Sequence, residues 1–235
     1  MSVTCKPLGQ LGNQLHVLAS CLGIAHRMGQ APALPAWPYR PFFSIPDEFF
    51  ADDPSARSAH DLSGLPASQR DYLQNRSLWA DIEADIRSWF SPSELVADLI
   101  GDPRDNIGLH VRRGDYHTLG PELYLPLWDT DYYRDALGLL PEAGTVEVYT
   151  DDPLWMRAIS PEWVVHDRDE DWRDLFRLSR HRYIVTANST FSYWAGVIGD
   201  PEVVTIPSRW YGPQIADQGW TPDSFTPPQW VRVDV

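Results

Sequence analysis

The sequence predicts an α/β protein with a parallel β-sheet in its second half, and two observations lead to this prediction. From residue 107 onward, short apolar runs typical of buried strands alternate with segments that carry apolar residues at helical spacing. Near the N-terminus, a short strand, a glycine-containing loop and a helix follow one another as a β-loop-α-β unit. Strands that alternate with helices form parallel sheets through right-handed crossover connections.

The N-terminal half starts with this β-loop-α-β unit. Apolar residues recur at helical spacing after the glycine loop, and Gly29 and Pro32 end the pattern. Residues 36–70 are rich in Pro, Phe, Ser and Asp and show little periodicity, which predicts irregular structure. The elements predicted in this region are the strands 3–5 and 33–35 and the helix 11–28.

Two further helices are predicted before the middle of the chain. Residues 78–90 return to helical spacing. The sequence Ser-Pro-Ser-Glu at 91–94 is a capping box with proline at the first helical position, and it predicts a helix over 95–100. The Gly-Asp-Pro that follows marks a domain boundary. We therefore predict a smaller N-terminal domain of residues 1–101 and a C-terminal domain of residues 102–235.

The C-terminal domain shows the regular alternation that predicts the parallel sheet. In an open α/β sheet, ligands bind at the carboxyl ends of the strands, so the residues that follow each strand are candidate site residues. The predicted strands are 107–111, 146–150, 163–165, 183–187 and 203–206. The predicted helices are 131–140, 154–159, 172–180 and 191–198.

Composition excludes several classes of function. A net charge of −14 and a pI of about 4.7 argue against nucleic acid as a partner and disfavour an anionic membrane surface. The chain has no run of about 18 apolar residues, so no transmembrane segment is predicted, and its first residues lack the pattern of a signal peptide. Cys5 and Cys21 make neither a disulfide framework nor a zinc motif. We expect a cytoplasmic protein.

Two adjacent arginines, Arg112 and Arg113, follow the strand 107–111. The guanidinium group offers a planar fork of donors that matches a phosphate and stays charged at any working pH. In so acidic a chain, this pair at a strand end predicts a local anion site, with a diphosphate as the expected anion. The alternative is that both arginines pair with nearby carboxylates, and the sequence alone leaves both possibilities open.

Three other segments place polar groups beside expected strand ends. Gly12-Asn13-Gln14 opens the first helix, where free backbone amides favour anions, although this segment alone favours a tight turn with a helix cap. Asp151 and Asp152 follow the strand 146–150, and Asp152 before proline predicts a helix cap. The segment Asn188-Ser189-Thr190-Phe191 opens another helix and offers hydroxyls and amides, with capping as its alternative role.

One pair of acids raises the possibility of a metal site. Asp167 and Asp169 form an Asp-x-Asp sequence of the kind that holds manganese in some glycosyltransferases. They precede the predicted helix 172–180, where acidic residues favour the positive end of the helix dipole. We therefore predict no metal here and keep a metal-dependent transferase as an alternative.

The order of these motifs along the chain is more specific than any one of them. It includes Gly-x-Leu-Gly-Asn-Gln-Leu near the N-terminus and His-x-Arg-Arg-Gly-Asp-Tyr at residues 110–116. This succession resembles the α-1,2-fucosyltransferases of glycosyltransferase family 11, and residues 110–116 are its most specific part. The matching segments, which span nearly the whole chain, are 9–15, 72–74, 110–116, 132–136, 150–153 and 187–194.

The resemblance implies a GT-B-like fold with two Rossmann-like halves, the N-terminal one on the acceptor side. It implies an inverting enzyme that moves L-fucose from GDP-β-L-fucose to a glycan hydroxyl, expected to be the 2-OH of a galactoside, without a metal or other cofactor. The acceptor would be a glycan or a lipid-linked saccharide, so the enzyme could also lie peripherally at the inner membrane face. Another GDP-sugar donor and a non-catalytic GDP-sugar-binding module remain open alternatives.

Residue roles follow from the same resemblance. Arg112 and Arg113 would hold the diphosphate and stabilise the charge that develops as GDP leaves. His110 would lie near the guanine or ribose, and Asp151 near the guanine. The other donor-binding residues would be Gly12, Asn13, Gln14, Asn188, Ser189, Thr190 and Phe191.

Inverting transfer also needs a base that takes the proton of the acceptor hydroxyl. Asp115 lies within the shared motif and is the first candidate. A carboxylate beside Arg113 favours its charged form, however, which would make it a weak base and a good structural partner. Glu122 and His117, in the segment just after the motif, are the rival candidates.

Overall fold

The chain forms two compact units. The computed structural model describes residues 1–141, 144–217, 219 and 221–235. The first unit comprises Met1–Leu99 together with Ser224–Thr226, and the second comprises Ile100–Asp223 together with Pro227–Val235. A short segment near the C-terminus therefore belongs to the first unit.

The first unit contains a three-stranded parallel sheet in the order β2-β1-β3. The predicted β-loop-α-β unit is present, because the long helix α1 packs on this sheet and buries almost all of its first fifteen residues. Main-chain pairing of Ala31 and Pro32 with the first strand places β2 two residues before the prediction. The bounds are β1 Ser2–Thr4, α1 Leu11–Arg27, β2 Ala31–Pro32, β3 Arg57–Ser58, α2 Ala59–Leu62 and α3 Glu83–Trp89.

The helix predicted over 95–100 from the capping box is wrong. Pro92 instead pairs with Phe43 in an isolated antiparallel bridge, and the Ser93 hydroxyl donates to the carbonyl of Pro41 at 2.7 Å. The hydroxyl of Ser91, the expected helix cap, donates instead to the carbonyl of Ser88 at 2.7 Å. The segment continues only as a single 3₁₀ turn, Ala97–Leu99.

The second unit contains a six-stranded sheet in which all pairs are parallel. Every strand and helix predicted in this half is present, with small differences at the ends. The strands are β4 Arg104–Val111, β5 Val146–Thr150, β6 Val164–Val165, β7 His181–Val185, β8 Val203–Pro207 and β9 Val231–Val233. The helices are α4 Gly114–Leu119, α5 Tyr132–Gly138, α6 Pro153–Ile159, α7 Asp171–Leu178, α8 Thr190–Gly199 and α9 Pro213–Ala216.

The strand order of this sheet fixes where a ligand can bind. From edge to edge it reads β6-β5-β4-β7-β8-β9, so the chain builds outward from β4 in one direction and then from β7 in the other. This is the order of a doubly wound dinucleotide-binding sheet, in which ligands occupy the crevice beyond the carboxyl ends of the two central strands. Buried apolar side chains such as Leu109, Val148 and Val185 form the core beneath that edge. Across the described ranges, we find no helix with the length and apolarity needed to span a bilayer.

Candidate active site

Strand β4 delivers Arg112 to the sheet edge where the strand order reverses. One guanidinium nitrogen of Arg112 donates to Asp115 at 2.8 Å, and the other lies 3.2 Å from Asp151. The guanidinium carbon lies 5.6 Å from the centre of the Tyr116 ring. Burial opposes the charge of Arg112, but the two carboxylates outweigh it and raise its pKa. This cation is therefore fixed in place by acidic partners.

Arg113 has different surroundings. Its guanidinium group donates to Asp152 at 2.6 Å and lies 4.5 Å from the centre of the Trp155 ring, with Trp128 at 5.9 Å. Its backbone N–H donates to Asp151 at 2.8 Å. Both arginines thus form the carboxylate pairs that the sequence left open as an alternative. The anion site stays a prediction, and the two side chains are not equivalent.

The adjacent acids after β5 divide their roles. Asp152 caps α6, as predicted, because its side chain accepts from the backbone N–H of Trp155 at 3.2 Å. Asp151 holds the turn after β4 through Arg112 and the amide of Arg113. A Cβ at Gly114 would lie 2.8 Å from an Asp151 carboxylate oxygen, so a larger residue here would displace that carboxylate.

Strand β7 ends in the segment that opens α8. The Ser189 hydroxyl caps the helix by accepting from the amide of Phe191 at 3.3 Å. Asn188 is 2% exposed, and its carboxamide donates to the carbonyls of Leu125 and Trp210. The predicted segment therefore lies at the central crevice, but the Asn188 side chain is engaged by neighbouring loops.

His110, on β4, is buried beneath this segment. Its Nδ1 lies 3.0 Å from the hydroxyl of Ser192, and its ring packs on Phe191 with 5.1 Å between centroids. Burial lowers the pKa of His110 to about 3, so the ring is neutral at physiological pH. Its predicted role near the guanine stays a prediction.

The three candidate bases lie in α4 and the loop after it. Asp115 pairs with Arg112 rather than with Arg113, which corrects the expected partner, and its side chain is 46% exposed. His117 and Glu122 are both exposed. The main chain of Glu122 is held, since its carbonyl accepts from the amide of Gln214 at 3.0 Å. The side chains of all three candidate bases are therefore accessible to solvent or to a ligand.

In the first unit, the glycine loop opens α1 as predicted. Gln14 donates to the carbonyl of Gly9 at 2.7 Å and accepts from the indole of Trp37 at 2.7 Å. The side chain of Asn13 accepts from Gln74 at 3.0 Å. Gly9 has a φ of 74°, a conformation that favours glycine. Gly12 is a buried residue of the first helical turn, and the side chains of Asn13 and Gln14 each form hydrogen bonds beside that turn.

The two acids of the Asp-x-Asp sequence have separate partners. Asp167 pairs with Arg157 at 2.7 Å, whereas Asp169 pairs with Arg173 and Arg177 at 2.8 and 3.0 Å. Asp169 therefore stabilises the start of α7 through ion pairs. Within the described ranges, no cluster of three or more potential metal ligands occurs.

A comparison with protein families identifies the chain. The model of the family described as glycosyl transferase family 11 matches residues 57–233. The chain belongs to glycosyl transferase family 11. The resemblance drawn from the motif order is thereby confirmed.

Curated relatives of this family 11 chain are similar over different lengths. It is 26% identical over 145 residues to the O-antigen biosynthesis glycosyltransferase WbnK of Escherichia coli, covering 55% of this chain and 47% of WbnK. It is 25% identical over 197 residues to an alpha-1,2-colitosyltransferase of Escherichia coli, covering 77% of this chain and 64% of that enzyme. It is 24% identical over 279 residues to galactoside alpha-(1,2)-fucosyltransferase 1 of Lagothrix lagotricha, covering 98% of this chain and 74% of that enzyme. The match thus spans less than two thirds of either bacterial relative.

A solved structure supports the fold of the family 11 chain. The fucosyltransferase NodZ from Bradyrhizobium superposes with a TM-score of 0.51 at 17% identity, covering 83% of this chain and 91% of NodZ. At this identity the likeness concerns the fold alone. The GT-B-like α/β fold with parallel sheets is confirmed.

Several site neighbours lie outside the family 11 motifs that the sequence revealed. Trp128 and Trp155 flank Arg113, and Tyr124 stacks on Tyr116 with 4.1 Å between ring centroids. Trp155 could have been found, because it lies in the first turn of a helix that follows a strand end. Tyr124 gives no such signal, since its contacts depend on how a long loop folds back.

Proposed function

We propose that this protein transfers L-fucose from GDP-β-L-fucose to a hydroxyl of a glycan acceptor, with inversion at the anomeric carbon. The expected position is the 2-OH of a galactoside, and the expected acceptor is a free glycan or a lipid-linked saccharide. Membership of glycosyl transferase family 11 supports the reaction class. The alpha-(1,2) names of two curated relatives support the position.

One observation carries this proposal: Arg112 and Arg113 follow β4 at the point where the strand order reverses. The neighbouring central strand, β7, ends there as well and opens α8. A diphosphate in that crevice would meet guanidinium donors from one strand and backbone amides from the start of α8. Both groups stabilise the negative charge that grows on GDP as the glycosidic bond breaks.

The surroundings of the arginines suggest a division of work. Arg112 stands between Asp115 and Asp151, so a phosphate could replace Asp115 as a partner while Asp151 keeps the guanidinium oriented. Arg113 is held by Asp152 and Trp155. We therefore propose Arg112 as the principal phosphate ligand and Arg113 as a second cation that also secures the loop.

The proposed reaction uses no metal. The charge that a divalent cation supplies in other transferases would come here from Arg112 and Arg113. The Asp-x-Asp residues, Asp167 and Asp169, form ion pairs with arginines of α6 and α7. Activity in the presence of a chelator is the expected result, and loss of activity on chelation would favour the metal-dependent alternative.

A second candidate donor comes from a specific relative. The similarity to an alpha-1,2-colitosyltransferase supports colitose as the transferred sugar in place of fucose. The same phosphate site would serve both donors, because it contacts the nucleotide part of the molecule. Competition between the two activated sugars in a turnover assay separates these candidates.

The test is calorimetric titration of the purified protein with GDP and GDP-fucose in the presence of EDTA, with UDP as the matched control. We expect selective micromolar binding of the guanine nucleotides, followed by release of GDP when a galactoside acceptor is added. Binding without any turnover would favour a non-catalytic module. Absence of nucleotide binding would reject the proposal.

A further inference from the structure

A set of hydrogen bonds joins the crevice loops of the second unit. We call it the clasp, and it consists of Tyr116, Asn188 and the two carbonyls of Leu125 and Trp210. It connects the arginine segment after β4, the segment that opens α8 and two loops that carry none of the motifs. Each bond is 2.8 or 2.9 Å long, in the range of well-formed hydrogen bonds.

The carboxamide of Asn188 is the centre of the clasp. Its Nδ2 donates to the carbonyl of Leu125 at 2.9 Å and to the carbonyl of Trp210 at 2.8 Å. The residue is 2% exposed, so these bonds form in a poorly solvated place where losing one is costly. An amide nitrogen has two hydrogens, and both are used to join two loops.

Tyr116 connects the arginine segment to the same residue. Its hydroxyl donates to the carbonyl of Asn188 at 2.8 Å, while its ring lies under the guanidinium group of Arg112. Burial, with Tyr124 and Tyr211 nearby, raises the pKa of Tyr116 well above its ordinary value, so the hydroxyl stays protonated as a donor. A single side chain thus links the ends of both central strands.

The bond to the Asn188 carbonyl also orients an amide. The peptide unit between Asn188 and Ser189 is planar, and its N–H points opposite to its C=O. Fixing the carbonyl against Tyr116 therefore fixes the direction of the Ser189 N–H at the start of α8. The direction of Arg112 and the direction of this amide are set by the same tyrosine.

The clasp also anchors the segment that carries Glu122. Tyr124 stacks on Tyr116 with an interplanar angle of 10°, and it pairs with Tyr211 in an antiparallel bridge. The amide of Gly212 donates to the carbonyl of Leu123 at 2.9 Å. A Cβ at Gly212 would lie 2.5 Å from the Glu122 carbonyl oxygen, so the two loops touch main chain to main chain.

We propose that Tyr116 and Asn188 are positioning residues for the proposed transfer, with separate effects. Tyr116 aligns Arg112 with the Ser189 amide, and so acts on the binding of the nucleotide diphosphate. Asn188 holds the 120–125 segment through the Leu125 carbonyl and so acts on the placement of Glu122, one of the three candidate bases. This inference rests on the proposed function and adds to it two residues that need not touch the substrate through their side chains.

The first test compares Tyr116→Phe with Tyr133→Phe. The Tyr133 hydroxyl, on the neighbouring helix α5, is buried with no hydrogen-bond partner in the described part of the chain, so it is a matched control. Loss of one hydrogen bond should raise the donor KM and the GDP dissociation constant of Tyr116→Phe by about five- to tenfold, with kcat within about twofold. Tyr133→Phe should keep wild-type constants.

The second variant, Asn188→Asp, keeps the shape but places an oxygen where the two N–H donors were. We expect kcat to fall by at least about tenfold, beyond any change in GDP affinity, because the 120–125 segment loses its bond at the Leu125 carbonyl and the adjoining loop loses its bond at the Trp210 carbonyl. Thermal unfolding of each variant separates this effect from general loss of structure. A kcat loss matched by a proportional loss of folded protein would overturn the role of Asn188.

Measurements on the wild-type protein distinguish a failure of the proposed function from a failure of the clasp proposal. If it binds no GDP, the proposed function is wrong. If it binds and turns over GDP-fucose, but Tyr116→Phe matches it in donor KM and GDP affinity, the clasp proposal alone is wrong. An equal rise in KM for Tyr133→Phe would likewise overturn it, because the effect would not depend on the bond to Asn188.

Discussion

Arg112 and Arg113 are neighbours in sequence but differ in what holds their guanidinium groups. Arg112 is placed between two carboxylates, one of them on a half-exposed side chain, whereas Arg113 rests on Trp155 and pairs with Asp152. A lysine at either position keeps the charge but loses the planar fork and most of the stacking. The pair of Arg→Lys substitutions therefore distinguishes phosphate binding from attachment of the loop.

We predict that Arg112→Lys lowers kcat/KM for the donor by about a hundredfold and leaves the melting temperature nearly unchanged. Arg113→Lys should lower the melting temperature by about 2–4 °C, through the lost contact with Trp155, and reduce kcat/KM less than tenfold, as a rough bound. Steady-state kinetics and thermal unfolding of both variants check this. Equal losses of activity would instead mean that both guanidinium groups bind the diphosphate directly.

We expect Asp115 to act as an ion-pair partner of Arg112 and Glu122 to act as the base. We predict that Glu122→Gln lowers kcat by about 10²-fold or more with GDP affinity retained, because only proton transfer is lost. Asp115→Asn should mainly change donor KM and GDP affinity, since its carboxylate is an ion-pair partner of Arg112. Calorimetry beside turnover assays measures both quantities. The reverse pattern would identify Asp115 as the base.

Among single residues, the sequence predicted the strand and helix ends that carry these side chains, but not how the side chains are held. The strand end at Arg112, the cap at Asp152 and the helix start at Ser189 follow from local patterns of apolar and polar residues. The partners do not, because Tyr116 meets Asn188 across 72 positions of sequence. Contacts of that kind depend on the sheet order, which no local pattern encodes.

Two helical glycines of the second unit differ in their surroundings. At Gly199, the last residue of α8, a Cβ would lie 2.1 Å from the carbonyl oxygen of Ser179, which is main chain and cannot move aside. At Gly138, the last residue of α5, a Cβ would meet nothing within 4 Å. The same substitution should therefore have opposite effects at these two helix ends.

We predict that Gly199→Ala destabilises the protein by at least about 2 kcal/mol, because α7 and α8 must separate. Gly138→Ala should stabilise it by about 0.5–1 kcal/mol, since alanine loses less backbone entropy in a helix. Urea unfolding of both variants at pH 7.5 gives the comparison. A stabilised Gly199→Ala protein would contradict the close packing of these helices.

Among the secondary-structure elements, the prediction succeeded where burial is continuous. Strand β5 was predicted with its observed bounds, because its valines, tyrosine and threonine favour strand structure and its last four residues are all buried. Short elements such as α4 and β9 were missed, since six or three residues give too few turns or alternations to form a pattern. The capping box at 91–94 misled because tertiary bonds to the 41–44 loop outweigh a local cap.

Three buried histidines, in both units of the protein, should respond to acid in the same way. Burial lowers the pKa of His16 to about 3, of His110 to about 3 and of His181 to about 4, from an ordinary value of 6.5. Above pH 6.5 these rings are neutral in both the folded and the unfolded chain, so they give no pH dependence. Below it, the unfolded chain takes up protons that the folded protein does not, and the free energy of unfolding falls.

We predict that the free energy of unfolding decreases between pH 6.5 and pH 4 by roughly 1 kcal/mol per pH unit for each buried histidine. Carboxylates with lowered pKa, such as Asp169 and Asp223, add their loss only at lower pH, near and below their ordinary values. Urea titrations from pH 7.5 to 4.5 measure the slope. His16→Leu should reduce the slope of the unfolding free energy with pH by the contribution of one buried histidine. His26→Gln, at an exposed position of the same helix, should leave that slope unchanged. A slope that stays flat down to pH 5 in the wild-type protein would mean that these histidines are not held neutral by burial.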